Sequence, residues 1–332
     1  MPGDAAPSSG SGLYLKAGIL AALLLALYFL LIYLNIVSCG HLHPVVCDVY
    51  YSVISGGKPK LLIISGQDGI GDPDYFYEIL KGPRFSASVR MRELSVTSLP
   101  ELLQYQMVIV ERARTMKIAD HRMFLDYANR GGKIVWIADA GTMATPDESG
   151  RNYFLAYGER KAGGSPSYIG PWARKAGSKQ VSLDYMLGVE YLANYCELAS
   201  DCGAGSLVGF MNFSDTGKRQ VYGLSQQLPF YGDFSIVRPN ENAYQSGLAY
   251  LDYGTSLVAK PPQGHFWLQG QSTNFGKEFP MMVSSGYGSR VLYYSFPPEY
   301  LVSEKMPLDP KTGKRIAYWG IIEDMYYGML YR

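Results

Sequence analysis

At 332 residues the chain is long enough for one large or two modest domains with a substantial core. Thirty Lys and Arg against 29 Asp and Glu leave a formal charge of +1, which excludes the electropositive footprint of a nucleic-acid binder and a surface built for acidic partners. Charged residues are only 18% of the chain, while Tyr and Gly number 28 and 37, a composition suited to extracytoplasmic β-rich or loop-rich structure.

Residues 1–12, MPGDAAPSSGSG, are too polar and too short to fold and read as a disordered tail. Residues 17–37 contain no charged side chain and have the length, about 20 residues, that crosses a bilayer as a helix. This run exceeds a signal-peptide core, and its exit at 34–39 lacks a small-x-small cleavage pattern. The expectation is an uncleaved single-pass anchor over 13–38, with a removed signal peptide as the alternative. Lys16 flanks the amino side, and the carboxyl side carries no Lys or Arg until Lys58, which favours the amino end inside. All four cysteines follow the anchor in two close pairs, Cys39/Cys47 and Cys196/Cys202, as expected of local disulfides in an oxidising compartment. Asn212-Phe213-Ser214 is a glycosylation sequon compatible with that side. These signals place the C-terminal domain outside the cell membrane.

The membrane-proximal stretch 39–57 opens with Cys39-Gly-His41-Leu-His43-Pro-Val-Val-Cys47. Thiolates and imidazoles are zinc ligands, but the spacing matches no common zinc module, and in an oxidising space the thiols would pair. A disulfide loop is the favoured reading, ahead of a metal site or free side chains. No metal or cofactor is expected elsewhere in the chain.

From residue 58 strands and helices alternate. Lys60–Ser65 reads as a first strand, followed by the glycine-rich loop Gly66-Gln67-Asp68-Gly69-Ile70-Gly71. That loop lacks both phosphate-binding fingerprints and reads as a turn. Asp72 then caps a helix with Pro73 in its first turn, running to about Leu80. Residues 86–94 alternate as a second strand, 100–104 form a short helix, and 107–110 a third strand ending at Glu111-Arg112. Residues 120–129 have helical spacing. Gly131-Gly132 then launches Lys133-Ile-Val-Trp-Ile-Ala138, an apolar run suited to the middle of a parallel sheet. It breaks at Asp139-Ala140-Gly141-Thr142, at the carboxyl end of the strand, where open α/β sheets place binding and chemistry.

Residues 145–177 form a Gly-, Arg- and aromatic-rich insertion, expected to fold over that edge as a lid or to dock a partner. Residues 181–195 return to helical spacing. Short strands are expected at 207–213, 220–224, 247–251, 256–259, 281–284 and 291–296, and a final helix at 317–331.

Two segments resemble those of the class I glutamine amidotransferase-like superfamily. In its active members the central strand ends in Gly-x-Cys-x-Gly, and a later strand ends in Phe-His-Pro-Glu. Here the corresponding turns are Ile137-Ala138-Asp139-Ala140-Gly141 and Phe296-Pro297-Pro298-Glu299. The strand pair around 279–294 is similar to one in degenerate branches: trehalose-utilisation-like proteins, the trimerisation domain of certain β-galactosidases, and membrane-tethered gliding-motility transport domains. The resemblance spans about 58–332 and implies a flavodoxin-like/amidotransferase-like α/β fold, a parallel sheet flanked by helices with a β-rich C-terminal part. It also implies a vestigial site at Asp139, Gly141, Pro297 and Glu299. Asp139 stands at the nucleophile position and Pro297 at that of the base. Acyl transfer needs a thiolate or alkoxide with a base beside it, so glutamine hydrolysis is not expected.

The expected role is therefore that of a non-catalytic, membrane-anchored domain binding a protein or glycan in a cell-envelope complex. The alternative is an extracytoplasmic hydrolase of glycans or envelope polymers using Asp139 and Glu299, which would need two carboxyls roughly 5–9.5 Å apart in an open cleft. Between them lies a binder of a small metabolite at the vestigial pocket. Asp139, Glu299 and Glu111 could gather at one sheet edge; the plainer expectation is that Asp139 caps the next helix. His121 and His265 stand without spaced partners and read as core or surface residues.

Overall fold

The computed structural model describes residues 10–33, 49, 57–85, 87–149, 170–176, 179–199, 202, 206–220, 227–265, 267–268, 272–286, 288–303, 306, 308, 313 and 315–330. They fall into two units, Met1–Lys58 and Pro59–Arg332.

The first unit contains helix α1, Gly10–Tyr33, apolar on every face rather than along one stripe. Its 24 residues span about 36 Å at 1.5 Å each, enough for the hydrocarbon core of a bilayer. The segment Tyr14–Leu31 has mean hydropathy 2.1. Cys39, His41, His43 and Cys47 lie outside the described residues.

The second unit is built on a nine-stranded sheet. Its strands are β1 Lys60–Ser65, β2 Ser88–Glu93, β3 Met107–Glu111, β4 Lys133–Ile137, β6 Leu207–Phe213, β7 Leu228–Tyr231, β9 Gln245–Ala259, β10 Thr273–Ser285 and β11 Val291–Tyr294. The spatial order is β7-β6-β9-β10-β11-β4-β3-β1-β2. Strands β2, β1, β3, β4 and β11 run parallel; from β11 outward the pairing through β10, β9, β6 and β7 is antiparallel. A smaller antiparallel pair joins β5, Val189–Asn194, to β8, Ser235–Pro239. The molecule is thus mixed α/β, with a parallel half and a β-rich C-terminal half.

The parallel strands are apolar throughout because both faces are covered. Leu61 to Ile64, Met107 to Val110 and Ile134 to Ile137 are all buried. Helix α2, Pro73–Lys81, begins as expected, with Asp72 Oδ1 accepting from Tyr75 N at 3.1 Å and Pro73 in the first turn. Helix α3, Ile118–Asn129, lays Phe124 edge-on to Trp136 at 5.2 Å between ring centres. Each large apolar side chain buried this way contributes about 1.5–3 kcal/mol over its exposed state.

Three expectations about elements need correction. Residues 181–195 are not one helix. They form the end of a hairpin strand (Lys179–Ser182), a short helix Leu183–Leu187, and strand β5. Gly188, at φ +74°, stops the helix; Val189, Tyr191 and Ala193 then point inward with the period of a strand. Residues 247–251 and 256–259 belong to the single strand β9, and β7 and β8 had no distinct sequence signal. The expected strand at 220–224 falls on a short helix end at Gln220 and otherwise lies outside the described residues. Within the 145–177 insertion, a short helix Pro146–Ser149 is described, and Ala173–Ala176 pairs with Lys179–Ser182.

Candidate functional site

The parallel register aligns the carboxyl ends of four strands. Ser65 sits beside Glu111, Val110 beside Trp136, and Tyr294 beside Ile137. Just beyond these ends the backbone turns sharply. Arg112 (φ +48°) and Ala138 (φ +52°) both adopt the left-handed region that side chains disfavour. The strained residue at the central turn is therefore Ala138, one position before Asp139.

The turn 138–141 is buried, and every main-chain oxygen in it has a donor. Ala138 O accepts from Tyr293 Oη at 3.3 Å, and Asp139 O from Thr142 N and Oγ1 at 3.1 and 2.8 Å. Ala140 O accepts from the indole N–H groups of Trp136 and Trp172 at 2.9 and 2.8 Å. Gly141 O accepts from Arg174 Nη2 at 2.7 Å and from His121 Nε2 at 3.1 Å. Trp172 and Arg174 come from the end of the insertion, so these two described residues of it are fastened over the turn. His121 is wholly buried; burial and the nearby Arg174 charge hold its pKa well below the ordinary value, so the ring is neutral and donates through Nε2. Gly141 (φ +71°) has no room for a side chain, since a Cβ would lie 2.9 Å from His121 Nε2 and 3.1 Å from Trp136.

Asp139 caps no helix, because a turn and the short strand Met143–Ala144 follow it. Its side chain is 1% exposed. Oδ1 accepts from Ile70 N at 3.0 Å, and Oδ2 from Asn194 Nδ2 at 2.8 Å with Arg114 Nε at 3.4 Å. Burial raises its pKa; these three contacts oppose the rise.

Glu111 and Glu299, both 0% exposed, lie against one another. Each offers its Oε1 to Asp72 N, at 3.3 and 3.0 Å. Burial, then the neighbouring Glu299 carboxyl, pushes the Glu111 pKa well up; burial pushes Glu299 to about 7. Among the described residues their Oε2 atoms have no other partner, and one proton held between the two carboxyls satisfies both.

The three acidic residues thus do gather at one sheet edge, against the backbone of the loop 66–72. The glycines of that loop admit them. A Cβ on Gly71 (φ +128°) would lie 2.4 Å from Glu111 Oε1, and one on Gly69 (φ +113°) 2.9 Å from Asp139 Oδ1. Asp68 ties the same loop to Thr115, through its N at 3.0 Å and its Oγ1 at 2.6 Å.

Sequence reasoning missed the charged group beside Asp139. Arg114 bonds Glu197, whose other oxygen stands 3.2 Å from His265 Nε2 and accepts from Asn194 N at 3.1 Å. Burial raises the Glu197 pKa, but the bonds from His265, Asn194 and Arg114 outweigh it and bring it to about 2. His265 packs on Trp267 at 4.6 Å, and Tyr191 Oη donates to Asn194 Oδ1 at 3.0 Å. These residues come from three separate segments; only Asn194 and Glu197 share a local motif, the capping box of the short helix Tyr195–Leu198, and no sequence signal ties that box to Arg114 or His265.

Pro297 precedes the 3₁₀ turn Pro298–Val302, whose second residue is Glu299. Cys196 and Cys202 form a disulfide. Asn212 is half-buried in β6 beside Tyr250 of β9, and Ser214 Oγ is engaged, donating to Gly247 O at 2.8 Å.

No family model and no curated protein matches the chain. Among solved structures it is similar to a ThuA-like protein from Bacteroides uniformis (14% identity, 81% of this chain and 90% of that one, TM-score 0.45). A second is a GMP synthase-type protein from Thermoplasma acidophilum (10%, 82% and 94%, TM-score 0.42). A third is a β-galactosidase from Rahnella sp. R3 (14%, 75% and 31%, TM-score 0.40), of which the chain spans under a third. At TM-scores below 0.5 these similarities carry no inference about activity.

Proposed function

We propose that the chain is a membrane-anchored, extracytoplasmic, non-catalytic amidotransferase-like domain that binds or assembles with a partner, a protein or a glycan, in a cell-envelope complex. One observation carries the reading: the turn at the centre of the sheet edge, where a nucleophile would stand, has Ala138 at its strained position and its oxygens taken up by buried donors. An alanine offers no nucleophile, and a turn sealed by Trp172 and Arg174 offers no approach to a substrate. The neighbouring carboxylates favour the same reading. Asp139 and Glu299 are bonded to Ile70 N and Asp72 N of one loop, so backbone lies where a glycosidase needs an open cleft.

The test uses the full chain in detergent, assayed against glutamine, β-glycans and peptidoglycan-type polymers. The expected result is turnover no higher than buffer, together with a reproducible partner on cross-linking in expressing cells. Turnover abolished by Asp139→Asn or Glu299→Gln would overturn the reading in favour of the hydrolase.

A further inference from the structure

Next to the Arg114–Glu197 pair lies a group of ligand atoms that the reading above does not use. Cys196 Sγ, Cys202 Sγ and a carboxylate oxygen of Asp233 all lie within 4.8 Å of one another, and all three residues are partly exposed. Asp233 is oriented by its Oδ1, which accepts from Cys196 N and Phe234 N at 2.9 Å each; Oδ2 stands outside both bonds. Two sulfurs and one carboxylate are a donor set for a borderline-soft divalent cation, and three protein ligands with one open position is a common zinc arrangement. A tetrahedral ion with bonds to sulfur near 2.3 Å needs its two sulfurs about 3.8 Å apart. The cysteine Cα atoms are 5.1 Å apart, so side-chain rotation supplies that separation without moving the backbone. Glu197 is already committed to Arg114 and His265, which leaves the fourth position to water.

We propose that reduction of the Cys196–Cys202 disulfide turns this corner into a binding site for a zinc-type divalent cation, held by Cys196, Cys202 and Asp233. The corner then alternates between a covalent and a metal-bridged staple. In the reducing step a dithiol gives two electrons and two protons to the sulfur–sulfur bond and itself becomes a disulfide. Cation binding then releases the two thiol protons. Either staple closes the segment 196–202 and holds Glu197 against Arg114. This inference is independent of whether the domain is catalytic.

The test is a cobalt titration of the full chain in detergent, in a Cys39→Ser/Cys47→Ser background, with a phosphine as reductant. The reduced protein is expected to take up one cobalt ion per chain, with thiolate-to-cobalt charge-transfer absorption and tetrahedral ligand-field bands. About two protons should be released, and the oxidised protein should take up none. Asp233→Asn should weaken binding at least ten-fold, and Cys202→Ala should remove the charge-transfer band. The far-UV spectrum of each variant establishes that it has folded, and zinc should displace the cobalt from the parent protein. Folded, reduced protein that binds no stoichiometric cobalt would overturn the proposal, as would binding that Asp233→Asn leaves unchanged.

Discussion

Gly141 illustrates how a residue that looks like part of a reactive turn is fixed by packing. Its positive φ and the closeness of His121 and Trp136 leave no room for a methyl group. Left-handed backbone costs an L-residue roughly 1–2 kcal/mol, and overpacking about 1–3 kcal/mol more. Gly141→Ala should therefore lower stability by about 2–5 kcal/mol, read as an earlier midpoint in chemical denaturation. An unchanged midpoint would mean that the turn is looser than its hydrogen bonds indicate. Ala138 carries the strain, while Asp139 carries a structural hydrogen-bond load. The sequence motif placed the turn within one residue but could not say which position bends, because backbone dihedrals depend on how the two flanking strands are held.

At the scale of elements, the loop 66–72 is clamped by three acidic side chains, one from the end of a strand and two from just beyond the ends of two others. Asp139 comes from the turn after β4, Glu111 from β3 and Glu299 from beyond β11. The Glu111–Glu299 pair makes this clamp sensitive to pH. Burial raises both folded pKa values, that of Glu299 to about 7, so the folded state holds more protons than the unfolded one above the ordinary carboxylate range, and Glu299 gives up its share near 7. The contribution is complete below the unfolded pKa and is lost as pH rises through about 7. Stability should thus fall over that window. Glu299→Gln keeps an acceptor for Asp72 N and removes one of the two charges, so it should flatten the slope and exceed the parent's stability at pH 8. Denaturation curves at several pH values decide this, and a variant as pH-dependent as the parent would contradict the shared-proton arrangement.

The glycine-rich loop shows what the pattern alone leaves open. Gly66, Gly69 and Gly71 read as a turn without a phosphate fingerprint, and their spacing does not say what packs against them. What approaches is carboxylate, which becomes visible only when strands distant in sequence are placed side by side. The segment 181–195 failed for a similar reason. Its apolar spacing fits a helix nearly as well as a helix turn plus a strand, and Gly188 decides between them through its φ angle.

For the molecule as a whole, the proposed anchoring fixes an expected side of the membrane for the sheet domain. Helix α1 has the length and apolarity to span one. With Lys16 before the helix and no basic residue until Lys58, the amino end should stay inside. In intact expressing cells, protease added outside should digest the C-terminal domain, and the α1 fragment should stay in carbonate-washed membranes. Protection until lysis would reverse the orientation and favour the reduced, metal-binding form of the Cys196–Cys202 corner.

Sequence periodicity and punctuation by themselves determined much of this protein. Apolar runs marked the buried parallel strands, Asp72-Pro73 marked the start of α2, and an uncharged stretch marked the N-terminal helix. These are local properties, set by which faces a segment must bury and how it starts and stops. The tertiary structure alone decided the nature of the sheet edge. It paired Glu111 with Glu299, sealed the turn 138–141 under Trp172 and Arg174, and assembled Arg114, Asn194, Glu197 and His265 around Asp139. Together with the bond from Asp72 N to Glu299, 227 positions apart, those contacts join residues distant in sequence, and only the register of the strands brings them within reach of one another.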